Sequence, residues 1–276
     1  ITRPALGSEE AAALAEPLAT GWIVQGPKVR EFERMFCELS GAPRALATTS
    51  CTTALHLALS VLGVGAGDEV VVPSFTYVAS ANVVEQCGAT TVFVDVDRPT
   101  FNTDPAALEA ALSPRTQAIM VVHLFGLVAD MEPIMAIARE RGIPVVEDAA
   151  CAVGSRLQGQ HAGTFGDFGA FSFHARKVVT TGEGGMLTVS DDDRAELASI
   201  MRSHGGQVSD LERHRMGAFA LPEHEVVGFN YRMTDLQAAL GIVQLGRLDV
   251  WPVDDLGVRH GWRVIHEQDE LVVPVD

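Results

Sequence analysis

Seven short apolar runs, rich in β-branched residues, recur along the chain at 44–48, 69–73, 90–95, 117–122, 144–148, 169–173 and 185–189. Stretches with helical spacing lie between them, at 51–62, 77–87, 105–112, 130–141 and 191–203. A strand that is apolar along its whole length has no face to show to water, so it is covered on both sides. Strand-helix alternation of this kind predicts an α/β fold, with a buried, mostly parallel sheet and helices on both faces. In such sheets a ligand sits beyond the carboxyl ends of the strands, where loops run into helices. The residues just after each run are therefore the first candidates for function.

The flanks read differently. Residues 8–19 and 28–40 are expected to be helices joined by a glycine-rich turn at 21–26, and a further helix is expected over 233–248, capped by Thr234 or Asp235. The chain is expected to divide into one large domain with an N-terminal arm, 1–248, and an atypical or truncated C-terminal segment, 249–276. That segment has no clear periodicity, carries Pro252, Gly257 and Gly261, and ends on a short apolar run.

Charge and cysteine content narrow the function. With 20 basic and 36 acidic residues the net charge is −16. Like charge repels such a chain from nucleic acid and from anionic membranes. No apolar stretch reaches the roughly 18 residues of a membrane helix, and the first residues lack the basic-then-apolar pattern of a secretory signal. The four cysteines are scattered without a C-x-x-C pair, which points to free thiols in a reducing, cytoplasmic setting and not to a zinc site. Of the 20 basic residues only Lys28 and Lys177 are lysine, leaving 18 arginines. Arginine is never deprotonated in practice, whereas a lysine can become a neutral amine and form a Schiff base. A lysine in so arginine-rich a chain marks a place where that difference can matter.

Four run ends carry side chains of interest. After the first run, Thr49-Ser50-Cys51-Thr52-Thr53 leads into a helix. Hydroxyls and free amides there suit an anion, or serve as ordinary capping by Ser50 or Thr52. After the second, Pro73-Ser74-Phe75-Thr76-Tyr77 offers an aromatic that either stacks on a flat ring or fills the core. After the fifth, Asp148 closes an apolar run, and a carboxylate there needs a partner, either a protonated pyridine nitrogen or an arginine. After the sixth, Phe171-Ser172-Phe173-His174-Ala175-Arg176-Lys177 is followed by Gly182-Glu183-Gly184-Gly185, whose glycines allow close backbone approach. His174 is as readily a partly buried structural histidine as a site residue. An anion cradle, an aromatic plate, a carboxylate and an amine on one sheet edge make the set that pyridoxal phosphate requires.

These segments resemble the DegT/DnrJ/EryC1/StrS family of pyridoxal-phosphate sugar aminotransferases. The likeness rests on Gly21-Trp22 with Gly26-Pro27, Thr49 to Leu55, Pro73 to Tyr77, Glu147-Asp148-Ala149-Ala150, Phe171 to Lys177, Gly182 to Gly185, and Gly228-Phe229-Asn230-Tyr231-Arg232-Met233-Thr234-Asp235, in family order. The resemblance implies an aspartate-aminotransferase-like, type I fold. It implies Lys177 as the Schiff-base lysine, Asp148 as partner of the pyridine nitrogen and Tyr77 as the stacking aromatic. Cys51 by its backbone, Thr52 and Ser172 would hold the phosphate, and Asn230 would reach the phosphate of a neighbouring subunit, making a homodimer with shared sites. The implied substrate is a keto sugar, normally nucleotide-linked, with glutamate or glutamine as amino donor, in amino-sugar synthesis for antibiotics or surface polysaccharides.

The chain departs from the family at Cys151, where a glutamine usually contacts the cofactor hydroxyl, and at Cys51, where glycine is usual. The family pattern also stops near Asp249. These departures leave a catalytically impaired or regulatory homologue as the alternative. A pyridoxamine-phosphate dehydratase of the same family would carry histidine in place of Lys177. A nicotinamide enzyme would need a G-x-G-x-x-G after the first run, where this chain has none.

Overall fold

The computed structural model describes residues 4–206, 224 and 226–248. The expected C-terminal segment, 249–276, therefore lies outside the described residues.

All seven runs are strands of one sheet: β1 (Arg44–Thr48), β2 (Glu69–Pro73), β3 (Thr90–Val94), β4 (Thr116–Val122), β5 (Val145–Asp148), β8 (Phe168–Ser172) and β9 (Gly185–Val189). Two short strands, β6 (Arg156–Leu157) and β7 (Gln160–His161), pair in a separate hairpin between β5 and β8. The order across the sheet is β1-β9-β8-β5-β4-β2-β3. Only β9 is antiparallel to its neighbours; the other pairings are parallel. The carboxyl ends of the six co-directional strands therefore share one edge, and β9 starts from that edge at Gly185.

Helices cover both faces. Val70 and Val72 pack with α4 (Cys51–Val61), α5 (Ala79–Gln86) and α8 (Asp192–Arg202). Val71, one residue out of phase, faces α6 (Pro105–Ala111) and α7 (Met131–Arg141), as the strand pleat requires. On that second face α3 (Pro27–Ser40) and a further helix, α9 (Asp235–Gly246), cover β1, β8 and β9. Phe36 meets Phe171 with ring centroids 4.8 Å apart, and Phe32 meets Phe173 at 5.1 Å. These rings are fully buried, and truncating any one to alanine is expected to cost about 3–5 kcal/mol.

The arm is two helices, α1 (Ser8–Ala13) and α2 (Ala15–Thr20), where the sequence suggested one over 8–19. Pro17 sits in the first turn of α2; it has no amide hydrogen to bond back to Ala13, so the helix restarts. The arm is fastened by buried Glu10, which accepts from Gly7 N and from Gln244 Nε2 and pairs with Arg247.

Thr234, of the two candidates, caps α9: its hydroxyl accepts from Gln237 N at 3.1 Å. Asp235 instead caps α3, accepting from Gly26 N at 2.6 Å, Val29 N at 3.2 Å and Lys28 N at 3.1 Å. Any Cβ at residue 26 would lie 2.6 Å from that carboxylate, so only glycine fits.

Candidate active site

The cradle forms where β1 turns into α4. Ser50 is the cap: its hydroxyl accepts from Thr53 N at 3.2 Å, and Thr53 Oγ1 accepts from Ser50 N at 3.0 Å. Thr52 does not cap. The Ser50 cap serves the third amide of α4, so the amides of Cys51 and Thr52 are left at the positive end of an eleven-residue helix. The start of β9 packs onto this turn. Gly185 is paired with Thr48 on one side and Ser172 on the other, and a Cβ on it would come within 2.6 Å of Cys51 N. That register brings Ser172 beside the cradle, where its buried hydroxyl accepts from His174 N at 3.3 Å.

Asp148, at the end of β5, is 5% exposed. Its Oδ2 accepts from the Ser80 hydroxyl at 2.8 Å, and its Oδ1 from Ala150 N at 3.1 Å and the Cys51 thiol at 3.9 Å. No arginine pairs with it among the described residues. Burial pushes the Cys51 thiol well up, and the Asp148 charge adds to this, so it stays an S–H group that can donate. The thiol lies 3.9 Å from Asp148, and Cys151, three residues further along the chain than Asp148, lies 3.0 Å from Lys177 Nζ. The Cys51 side chain thus meets Asp148, where the sequence suggested a part for its backbone alone.

Lys177 lies in the turn after β8, half-buried, and its Nζ donates to Cys151 Sγ at 3.0 Å. Cys151 thus stands against the amine. Lys28, the other lysine, is an ion-pair residue: its Nζ is 2.8 Å from Glu16 and 3.3 Å from Glu31.

Tyr77 is 77% exposed, on the bend between β2 and α5, so it is no core aromatic. The expected helix over 77–87 begins two residues later, which leaves this ring free at the rim. His174 accepts from Arg176 N at 3.2 Å and faces Glu183 at 3.8 Å; it braces its own loop. Asn230 is exposed and accepts from Arg232 Nε at 3.2 Å, with no hydrogen bond to the other expected site residues among the described ones. Its segment runs beside the end of β1, where Thr49 N donates to Tyr231 O.

Two features escaped the sequence reading. Ser80, fully buried, is the hydroxyl partner of Asp148; asking what a buried carboxylate there must accept from was the one available signal. Glu147 is the other. Its buried carboxylate accepts from His123 Nε2 at 2.8 Å and from the amides of Gly163, Phe165 and Gly166 at 2.7 Å each. A cavity of about 400 Å³ at the opposite sheet edge, lined by residues including Ser40, Arg156, Asp167 and Ser190, holds none of the expected site residues.

The family model for DegT/DnrJ/EryC1/StrS aminotransferases matches residues 4–254. The GDP-perosamine synthase of Caulobacter vibrioides is 49% identical over 250 residues, covering 90% of this chain and 65% of that protein. The spore coat polysaccharide biosynthesis protein SpsC of Bacillus subtilis is 44% identical, covering 89% of this chain and 63% of that one. Among solved structures, 3-amino-5-hydroxybenzoic acid synthase superposes with a TM-score of 0.83 at 39% identity, over 91% of this chain and 64% of that one. The PLP form of a sugar aminotransferase from Streptococcus pneumoniae gives 0.84 at 34% identity, over 91% and 67%. The chain thus spans 65% and 63% of the length of the two curated relatives.

Proposed function

The chain belongs to the DegT/DnrJ/EryC1/StrS aminotransferase family, and from that premise we propose that it binds pyridoxal 5'-phosphate at the carboxyl edge of its sheet and transfers an amino group to a keto sugar, yielding an amino sugar. We further propose a nucleotide-linked sugar, glutamate or glutamine as donor, and a homodimer in which Asn230 of a second copy completes the phosphate site. The four cysteines are free, which supports a reducing, cytoplasmic setting.

The residues present fit the cofactor. Two amides at a helix start suit its phosphate, a carboxylate that only accepts suits a protonated ring nitrogen, and a primary amine suits an aldehyde. When bound, the cofactor supplies a ring that withdraws electrons from the substrate carbon bearing the amine. The amides of Cys51 and Thr52, with Ser172, would hold the phosphate; Asp148 would bind the ring N–H; Tyr77 would lie on the ring face; Cys151 would sit by the ring hydroxyl. The amine of Lys177 would carry the proton to and from the substrate carbon. The hydrogen bond to Cys151 Sγ holds that Nζ in place beforehand.

One juxtaposition carries this reading: the buried Asp148 carboxylate meets the Cys51 thiol at 3.9 Å and the Lys177 amine meets Cys151 Sγ at 3.0 Å, where the start of α4 faces Gly185. The test is absorbance. Protein with added cofactor should show a visible band that changes on adding glutamate or glutamine and returns with a nucleotide-linked keto sugar. Lys177→Ala should fold and lose the band. A folded parent protein with no band at saturating cofactor overturns the proposal. A second reading, a non-catalytic homologue, is favoured by Cys151 standing where glutamine is usual; a normal band unmoved by any amino donor would support it.

A further inference from the structure

We propose that Thr76 and Ser80 form a two-hydroxyl relay that fixes the Asp148 carboxylate for the cofactor's ring nitrogen, which makes Ser80 a positioning residue of the site. The inference rests on the cofactor reading above and assigns a role to residues outside the expected set.

Ser80 occupies the first turn of α5 and is fully buried. Its Oγ lies 2.8 Å from Asp148 Oδ2, 2.8 Å from Thr76 Oγ1 and 3.2 Å from the Tyr77 carbonyl. A hydroxyl has one proton, and an ionised carboxylate can only accept. The Ser80 proton therefore goes to Asp148, the shorter and charge-assisted bond. The Tyr77 carbonyl does not need it, because Ser80 N already donates there at 3.1 Å. Ser80 Oγ is then free to accept, and Thr76 Oγ1 donates to it. The order Thr76 to Ser80 to Asp148 is the one that satisfies every group.

Two consequences follow for the site. Oδ2 is held by Ser80 while Oδ1 is held by Ala150 N and the Cys51 thiol, so the carboxylate plane cannot turn. Oδ2, with Ser80 as its one donor, keeps a further lone-pair direction for a donor. Thr76 and Tyr77 share one bend, so the relay also ties the loop presenting the aromatic plate to the carboxylate meant for the ring nitrogen. The plate and the nitrogen partner are set relative to one another through one serine.

The experiment compares Ser80→Ala, Ser80→Thr and Thr76→Val with the parent protein. It measures cofactor affinity and the circular dichroism induced in the bound cofactor's visible band, which reports ring orientation. The melting curve of cofactor-free protein is recorded alongside. Ser80→Ala should lose about 10- to 100-fold in affinity, the scale of a hydrogen bond to a charged group, and should change the induced signal. Ser80→Thr should restore both, and Thr76→Val should move both in the same direction by less. If Ser80→Ala does not fold, Thr76→Val carries the test alone. Parent-like affinity and induced signal in the variants, with only the melting curve lowered, overturns the relay and leaves the aminotransferase reading standing. A parent protein without any band removes both together.

Discussion

Glu147 and Asp148 are neighbours on β5, both buried, and they live in different chemistries. The pleat sends their side chains to opposite faces. Glu147 enters the loop between β5 and β8, where three amides and the His123 ring fill both of its oxygens. The ring is read directly from its partners: Nδ1 accepts from Ala129 N at 3.2 Å, so Nε2 carries the proton given to Glu147. This loop can come so close only through glycine; a Cβ at residue 166 would lie 2.6 Å from the Val145 carbonyl. Asp148 points the other way, toward α4 and α5, and is held by the Cys51 thiol, the Ser80 hydroxyl and a single amide, that of Ala150. The difference teaches how to sort buried acids. One saturated by fixed backbone donors knits a fold, and one held with acceptor capacity to spare beside a lysine is set for a ligand.

That contrast can be broken by experiment, most sharply at Asp148 itself. Asp148→Asn should slow the amino-donor half-reaction roughly a thousandfold, as loss of a preorganised charge does, with a melting temperature close to the parent's. An unfolded variant, or one that reacts normally, would erase the distinction. Glu147→Gln should do the reverse. It places an NH₂ against amide donors and should remove about 3 kcal/mol of stability, while the folded fraction keeps its cofactor band. Urea unfolding followed by absorbance separates the two effects.

The Glu147 side of the sheet also carries a pH signature. His161, beside Phe36 and Phe171, accepts from Gly154 N and donates to the Ala162 carbonyl. Burial pulls its pKa down from 6.5 to about 4. The unfolded chain then takes up the proton first. Stability from the neutral ring is whole above 6.5 and drains away as pH falls toward 4, on the order of 3 kcal/mol in all. The urea midpoint should therefore fall between about pH 7 and about pH 5, and less so in His161→Gln; parallel losses in both proteins would refute the attribution. The smallest expected change is at the other lysine. Lys28→Arg should alter stability by no more than about 0.5 kcal/mol, since its partners are partly exposed carboxylates. Its cofactor band should be untouched, whereas Lys177→Arg should abolish it.

Much of the frame was legible because its signals are local. The sequence runs match the sheet strands to within a residue, since apolar β-branched patterning acts through the few residues on either side. The lysine bias marked two residues that the fold treats differently: Lys177 stands against Cys151 Sγ, whereas Lys28, chosen by the same scarcity, holds an ion pair. The break at Pro17 was present in the sequence and obeyed local rules, yet the apolar periodicity hid it. Asp235 was one of two candidate caps for its own helix, and only the fold reveals that it caps another whose N-cap is 209 residues away.

The residue order by itself determined an α/β sheet, its strand ends, and the residue types gathered at those ends, because periodicity and backbone preference act within a turn or two of chain. The tertiary structure alone decided what fills the Glu147 carboxylate, that Tyr77 stands exposed, and that Ser80 and Cys51 close on Asp148. Those outcomes depend on hydrogen bonds and packing between segments tens of residues apart, whose partners are chosen only when the helices settle onto the sheet.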